Sequence, residues 1–151
     1  MSFIMAEEPK VIRSAFSKTD PVGSAVGGLV LSQELTQQVD PKTKKPRTDR
    51  NGHPMMQMEV VILTNEQTDP EDDGRRMLYV RGNMRRAIRA AVIAAGADDL
   101  RNGAQLAVMY TGQGKAIGDY AAPKLYKAKY EPPTEASLAE VAAFFDQDGD
   151  E

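Results

Sequence analysis

A single stretch with helical spacing stands among strand-like runs, and its position limits the folds open to the chain. Met84–Ala95 places Met84, Ile88, Ala91, Val92 and Ala95 on one stripe, with Asn83 as the expected N-cap and Gly96 as the C-cap. Three runs that alternate like strands precede it. Leu29–Gln38 sets Leu29, Leu31 and Leu35 on one face. Met55–Thr64 sets Met56, Met58, Val60 and Ile62 against Gln57, Glu59, Val61 and Leu63, the pattern of a strand covered on both sides. Arg76–Arg81 turns Leu78 and Val80 one way and Met77, Tyr79 and Arg81 the other. Two runs follow: Gln105–Thr111, with Leu106, Val108 and Tyr110 on one face, and Lys124–Tyr130, stopped by Pro132-Pro133.

The order is β-β-β-α-β-β. It predicts an all-β barrel with one inserted helix, a five-stranded OB fold, and leaves another α+β sheet with one helix as the alternative. At 151 residues the chain has room for one ordinary domain. The barrel is expected over 23–131. A polar N-terminal arm (1–22) precedes it, with a short ordered piece at Val11–Phe16, and an acidic C-terminal tail (132–151) follows. In that tail Ser137-x-x-Glu140 reads as a capping box for a short helix over Leu138–Phe145, whose Leu138, Val141 and Phe145 could pack on the barrel.

Most chemistry is excluded by composition. Without cysteine there is no disulfide, thiolate metal site or cysteine nucleophile, and the lone His53 supports neither a multi-histidine metal site nor a triad. No cofactor or metal is expected. Gly112-Gln113-Gly114-Lys115 fails as a phosphate loop, because Met109 stands at the first glycine and Ala116 at the magnesium ligand. Asp69–Gly74 imitates the start of a calcium loop but has Val80 at position twelve, so it reads as a solvated turn. No pair of carboxylates is singled out for acid–base work. No apolar run is long enough to span a bilayer and no signal peptide is evident, so a soluble, cytoplasmic, non-enzymatic protein is expected.

The positive signal lies in charge. Residues 1–130 carry a net +4 and residues 131–151 a net −7, an asymmetry suited to handling nucleic acid, although an acidic tail also serves solubility alone. Lys42, Lys44, Lys45, Arg47 and Arg50 crowd the first long loop, and Lys115, Tyr120 and Lys124 mark the second. Tyr79 and Arg81 share the outward face of the third strand. Lys127 and Lys129 share one face of the fifth, with Tyr126 and Tyr130 on the other as expected core. Cations that track phosphates and rings that stack on bases are what a single strand requires. Arg85, Arg86 and Arg89, off the helical stripe, either extend this track or simply solvate the helix.

Met55–Pro133, through its segments LYVRGNMRRAI, VMYTGQGKA and PKLYKAKYEPP, resembles the OB-fold single-stranded DNA-binding proteins of bacteriophages, especially those of actinobacterial hosts. The likeness covers about half the chain. It implies a protein that coats and protects single-stranded DNA in phage replication, recombination or repair, in the cytoplasm of a bacterial host. Proteins of this type end in an acidic, phenylalanine-bearing tail that docks replication or recombination proteins. Here Phe144 and Phe145 precede Asp146, Asp148, Asp150 and Glu151, the reverse of the usual order. Two alternatives stay open, an OB-fold adaptor that binds protein without DNA and a small enzyme or nuclease; in any of the three the chain could form a homo-oligomer.

Overall fold

Why the strand-like runs pair as they do follows from where their apolar residues go. The computed structural model describes residues 11–118 and 122–149, with side chains as far as Asp146. Its elements are β1 (Arg13–Ser14), β2 (Ala25–Gln37), β3 (Met56–Leu63), β4 (Arg75–Val80), α1 (Gly82–Ala94), β5 (Gln105–Gln113), β6 (Lys124–Glu131) and α2 (Glu135–Gly149). The strands form one curled half-barrel sheet in the order β1-β4-β3-β2-β5-β6. β2 is its spine, antiparallel to β3 along one part and to β5 along another. The five expected strands are all present. The sixth comes from the arm, where Arg13 and Ser14 pair in parallel with Arg76 and Met77. Among the described residues β4 and β6 share no backbone pairing, so the curl leaves a seam between them.

The concave face is lined by Val30, Val60, Ile62, Leu78, Leu106 and Val108, and α1 adds Met84, Ile88 and Val92 while packing along β6. Burial of this set is the main driving force for the curl. The outer face carries a smaller cluster. Leu29, Leu31 and Val61 are covered there by Ile12 from the arm and by Val141 and Phe144 from α2. The expected two-sided coverage of β3 is therefore real.

Four local readings change. A bulge between Val30 and Ser32 leaves Leu31 as an extra residue. Leu29 and Leu31 thus face outward, while Leu35, opposite Met58, faces the concave side; the three leucines do not share a face. Asn83 does not cap α1. Arg81 stands at the N-cap without a side-chain bond to the helix, and Asn83 Nδ2 instead donates to the Lys124 carbonyl at 3.0 Å, tying the helix start to β6. Gly96 does end the helix, with φ of 74° and its N–H on the Ile93 carbonyl. In α2 the capping pair lies upstream of the expected one, Thr134 with Ser137, each backbone N–H donating to the other's hydroxyl at 2.7 and 3.1 Å. α2 also runs past Phe145, and it is Phe144, not Phe145, that packs inward.

The fourth concerns Asp69–Gly74, which is a clamp rather than a solvated turn. Buried Asp72 receives both Arg76 Nη atoms at 2.9 and 2.8 Å, along with the Thr68 and Gly74 amides. The Arg76 guanidinium holds the Asp72 carboxyl well below the ordinary carboxylate range, and those amides push the same way. Arg76 Nε also meets Glu66 at 3.1 Å, and Arg13 Nη1 reaches Asp72 at 3.3 Å.

Candidate nucleic-acid interface

The seam between β4 and β6 opens as a cleft of about 490 Å³, lined by Phe16, Lys18, Tyr79, Arg81, Asn83, Lys124 and Tyr126 among others. The arm forms one wall. Ala15 donates its N–H to the Met77 carbonyl at 2.9 Å, and the Phe16 ring lies 5.8 Å from that of Tyr126, which in turn lies 6.0 Å from Tyr110. Lys124 Nζ sits 5.4 Å from the Tyr110 ring centroid, and 3.4 Å from the Lys18 carbonyl, so its charge is held at the cleft mouth. Burial raises the Tyr126 phenol above its ordinary pKa, so it stays neutral in the physiological range. Tyr79 is 42% exposed on the outward face of β4, where its cross-strand neighbour is Glu59 and the next strand places Glu34 beside that.

The first long loop is an ordered ribbon that prolongs the β2–β3 hairpin. Val39 bridges Pro46, and Thr48 bridges Pro54. Two aspartates build its turns. Asp40 Oδ1 accepts the N–H of Lys42 and Thr43 at 2.8 and 3.2 Å, and Asp49 Oδ1 accepts those of Asn51 and His53 at 2.8 and 2.9 Å. Lys42, Lys44, Lys45, Arg47 and Arg50 are all exposed on it. At the ribbon's base, the buried amide of Gln38 accepts from Arg47 Nη1 at 3.3 Å and from Arg81 Nη1 at 3.4 Å, and Arg81 also reaches Gln57 Oε1 at 3.4 Å. One glutamine thereby holds a loop arginine and a strand arginine together.

The expected site is gathered only in part. Tyr79, Arg81 and Lys124 line the seam, and Arg47 joins through Gln38. Lys127 and Lys129 do not line it. They project from the exposed face of the edge strand β6, where lysines discourage pairing with another sheet. Lys115 is exposed in the loop after β5, outside the lining, and Tyr120 lies outside the described residues. In the tail, Phe144 is committed to packing, with the Arg75 guanidinium 5.6 Å from its ring, while Phe145 is 46% exposed. Asp146 is exposed, Asp148 lies in α2, and Asp150 and Glu151 fall outside the described residues.

Sequence reasoning missed Phe16, Lys18 and Gln38, because the arm and the loop base show no periodicity of their own. Arg85, which the sequence already offered as part of the basic track, lies in the first turn of α1 with no acid beside it, at the end of the helix where cations are disfavoured. No helix among the described residues is long and apolar enough to cross a membrane, and no three of their His, Asp or Glu side chains are grouped to hold a metal. No known protein family, curated protein or solved structure matches the chain.

Proposed function

We propose that this chain is a single-stranded DNA-binding protein built on an OB-type barrel, which coats exposed strands without cofactor or bond cleavage. The observation that carries the reading is the seam cleft, where Lys18, Arg81 and Lys124 surround Tyr79 and Tyr126, with the basic ribbon joined at Arg81 through Gln38. Phosphates follow the cations and a base stacks on Tyr79. The OB assignment draws on the strand order around α1 and on a first long strand that pairs with both the second and the fourth. A phage replication, recombination or repair role, in a bacterial cytoplasm and with partners at the acidic tail, extends the resemblance of Met55–Pro133.

Fluorescence anisotropy with labelled oligothymidylate and a duplex of equal length, at low and physiological salt, tests the reading. The single strand is expected to bind more tightly, with an affinity that falls steeply as salt rises. Equal binding to duplex, or indifference to salt, refutes it.

A further inference from the structure

A second groove, of about 560 Å³, runs between α1 and the extended part of the β2–β3 hairpin. Leu35, Met56, Met58, Ile88 and Val92 form its apolar walls, with Arg85 and Arg89 also lining it. Leu35 is 61% exposed and Met56 43%, an open apolar surface on a strand whose bulge turned Leu35 this way. Arg85 and Arg89 follow Arg81 at successive turns of α1, and none of the three has a carboxylate partner among the described residues. Among the described residues none lines both the groove and the seam, but one hydrogen bond links their walls. Arg81 lines the seam cleft, and its guanidinium reaches Gln57, which lines the groove.

We infer that the groove is a second base-binding subsite for the same single strand, an inference that rests on the DNA-binding reading above. The strand leaves the seam at Arg81 and follows α1 with its phosphates toward Arg85 and Arg89. Its bases turn inward onto the methionine and leucine side chains. Unbranched thioethers adapt to rings of different shape, so this subsite suits sequence-independent coating. Charge favours this occupant over an acidic peptide. Asp98 and Asp99 line the groove, and a peptide lying along it would bring carboxylates against them, whereas a nucleic-acid strand keeps its charge on the arginine rim and sends in only uncharged bases.

The test compares the full chain with Leu35→Ser and with Arg85→Gln/Arg89→Gln, using oligothymidylates of increasing length. All three side chains are exposed, so circular dichroism is expected to show unchanged folds. The variants are expected to lose affinity severalfold for long oligomers and to match the parent on the shortest that bind. The double arginine variant is expected to lower the salt slope on long oligomers by about 1.4, at about 0.7 per phosphate. An oligomer carrying 5-iodouracil is expected to cross-link to Met56 on irradiation. If the parent binds but the variants match it at every length, or cross-links fall only at Tyr79, the groove is no part of the path. If a peptide of residues 137–151 binds the parent but not Leu35→Ser, and oligothymidylate does not displace it, the groove is a peptide site and the inference falls. If the parent binds no oligomer, the DNA-binding reading falls, and this inference with it.

Discussion

Tyr79 and Tyr126 both line the seam cleft, yet they answer to different forces. Tyr79 faces outward with no ring packed on it among the described residues, whereas Tyr126 is half-buried between Phe16 and Tyr110. Tyr79→Ala is therefore expected to weaken single-strand binding by about 1–3 kcal/mol and to leave the urea midpoint nearly unchanged. Tyr126→Ala is expected to lower stability by about 2 kcal/mol, because it removes ring packing that also anchors the arm. If the Tyr79 variant unfolds and the Tyr126 variant only loses DNA, the inward and outward faces have been assigned the wrong way round. A second residue-scale prediction concerns Gly28. A Cβ built there would lie 2.0 Å from the Leu63 carbonyl oxygen, a backbone atom that cannot yield without parting β2 from β3. Gly28→Ala is expected to cost about 3 kcal/mol or more, read from chemical denaturation.

The basic ribbon can be tested as an element. Its turns rest on Asp40 and Asp49 and on backbone bonds, not on its lysines, so the charges can be removed without undoing it. Lys42→Ala, Lys44→Gly and Lys45→Ala together are expected to leave the fold intact, glycine being chosen at Lys44 because its φ is 62°. For each phosphate that the lysines no longer neutralise, the slope of log affinity against log salt is expected to fall by about 0.7. A slope identical to the parent's assigns these lysines to solvation alone. At this scale much of the fold was legible. Alternation in Met56–Leu63, Arg75–Val80 and Gln105–Tyr110 is dictated by a buried concave face, and the stripe of α1 by the same core. The bulge at Leu31 was not legible, since an extra residue in a strand leaves local composition unchanged. Nor was the place of Arg13–Phe16, whose partners lie on β4 and β6 far along the chain. Of the candidate residues, the sequence singles out Tyr79 and Arg81 as the outward face of an alternating strand and Lys124 as the end of the second long loop, and the three share the lining of one cleft. Alternation puts Lys127 and Lys129 on an exposed face of β6 without saying which surface that face joins, and it is not the cleft lining.

For the molecule as a whole, the Asp72 clamp joins the arm, the loop before β4 and β4 itself. Its carboxyl titrates well below the ordinary range in the folded state, so the clamp contributes its full share above the unfolded-state pKa of about 4. That share declines as pH falls below this value and is lost once the folded-state carboxyl is protonated. Asp72→Asn is expected to flatten the acid limb of a stability-against-pH curve below about pH 4 while lowering the plateau at neutral pH; an acid limb unchanged by the substitution assigns the slope to other carboxylates. The arm's second attachment has a consequence for how the chain is made. Lys18 and Lys124 stand 106 positions apart, and β1 pairs with a strand synthesised some sixty residues after it. On the ribosome the arm emerges ahead of its partners and waits, because neither β4 nor Tyr126 yet exists to receive it. Pairings of such long sequence separation form late, so the seam is completed only when the last strand is delivered. A nascent chain stalled before β6 would have its basic ribbon but no finished cleft, which would reserve the proposed binding of DNA for chains whose synthesis has passed that strand.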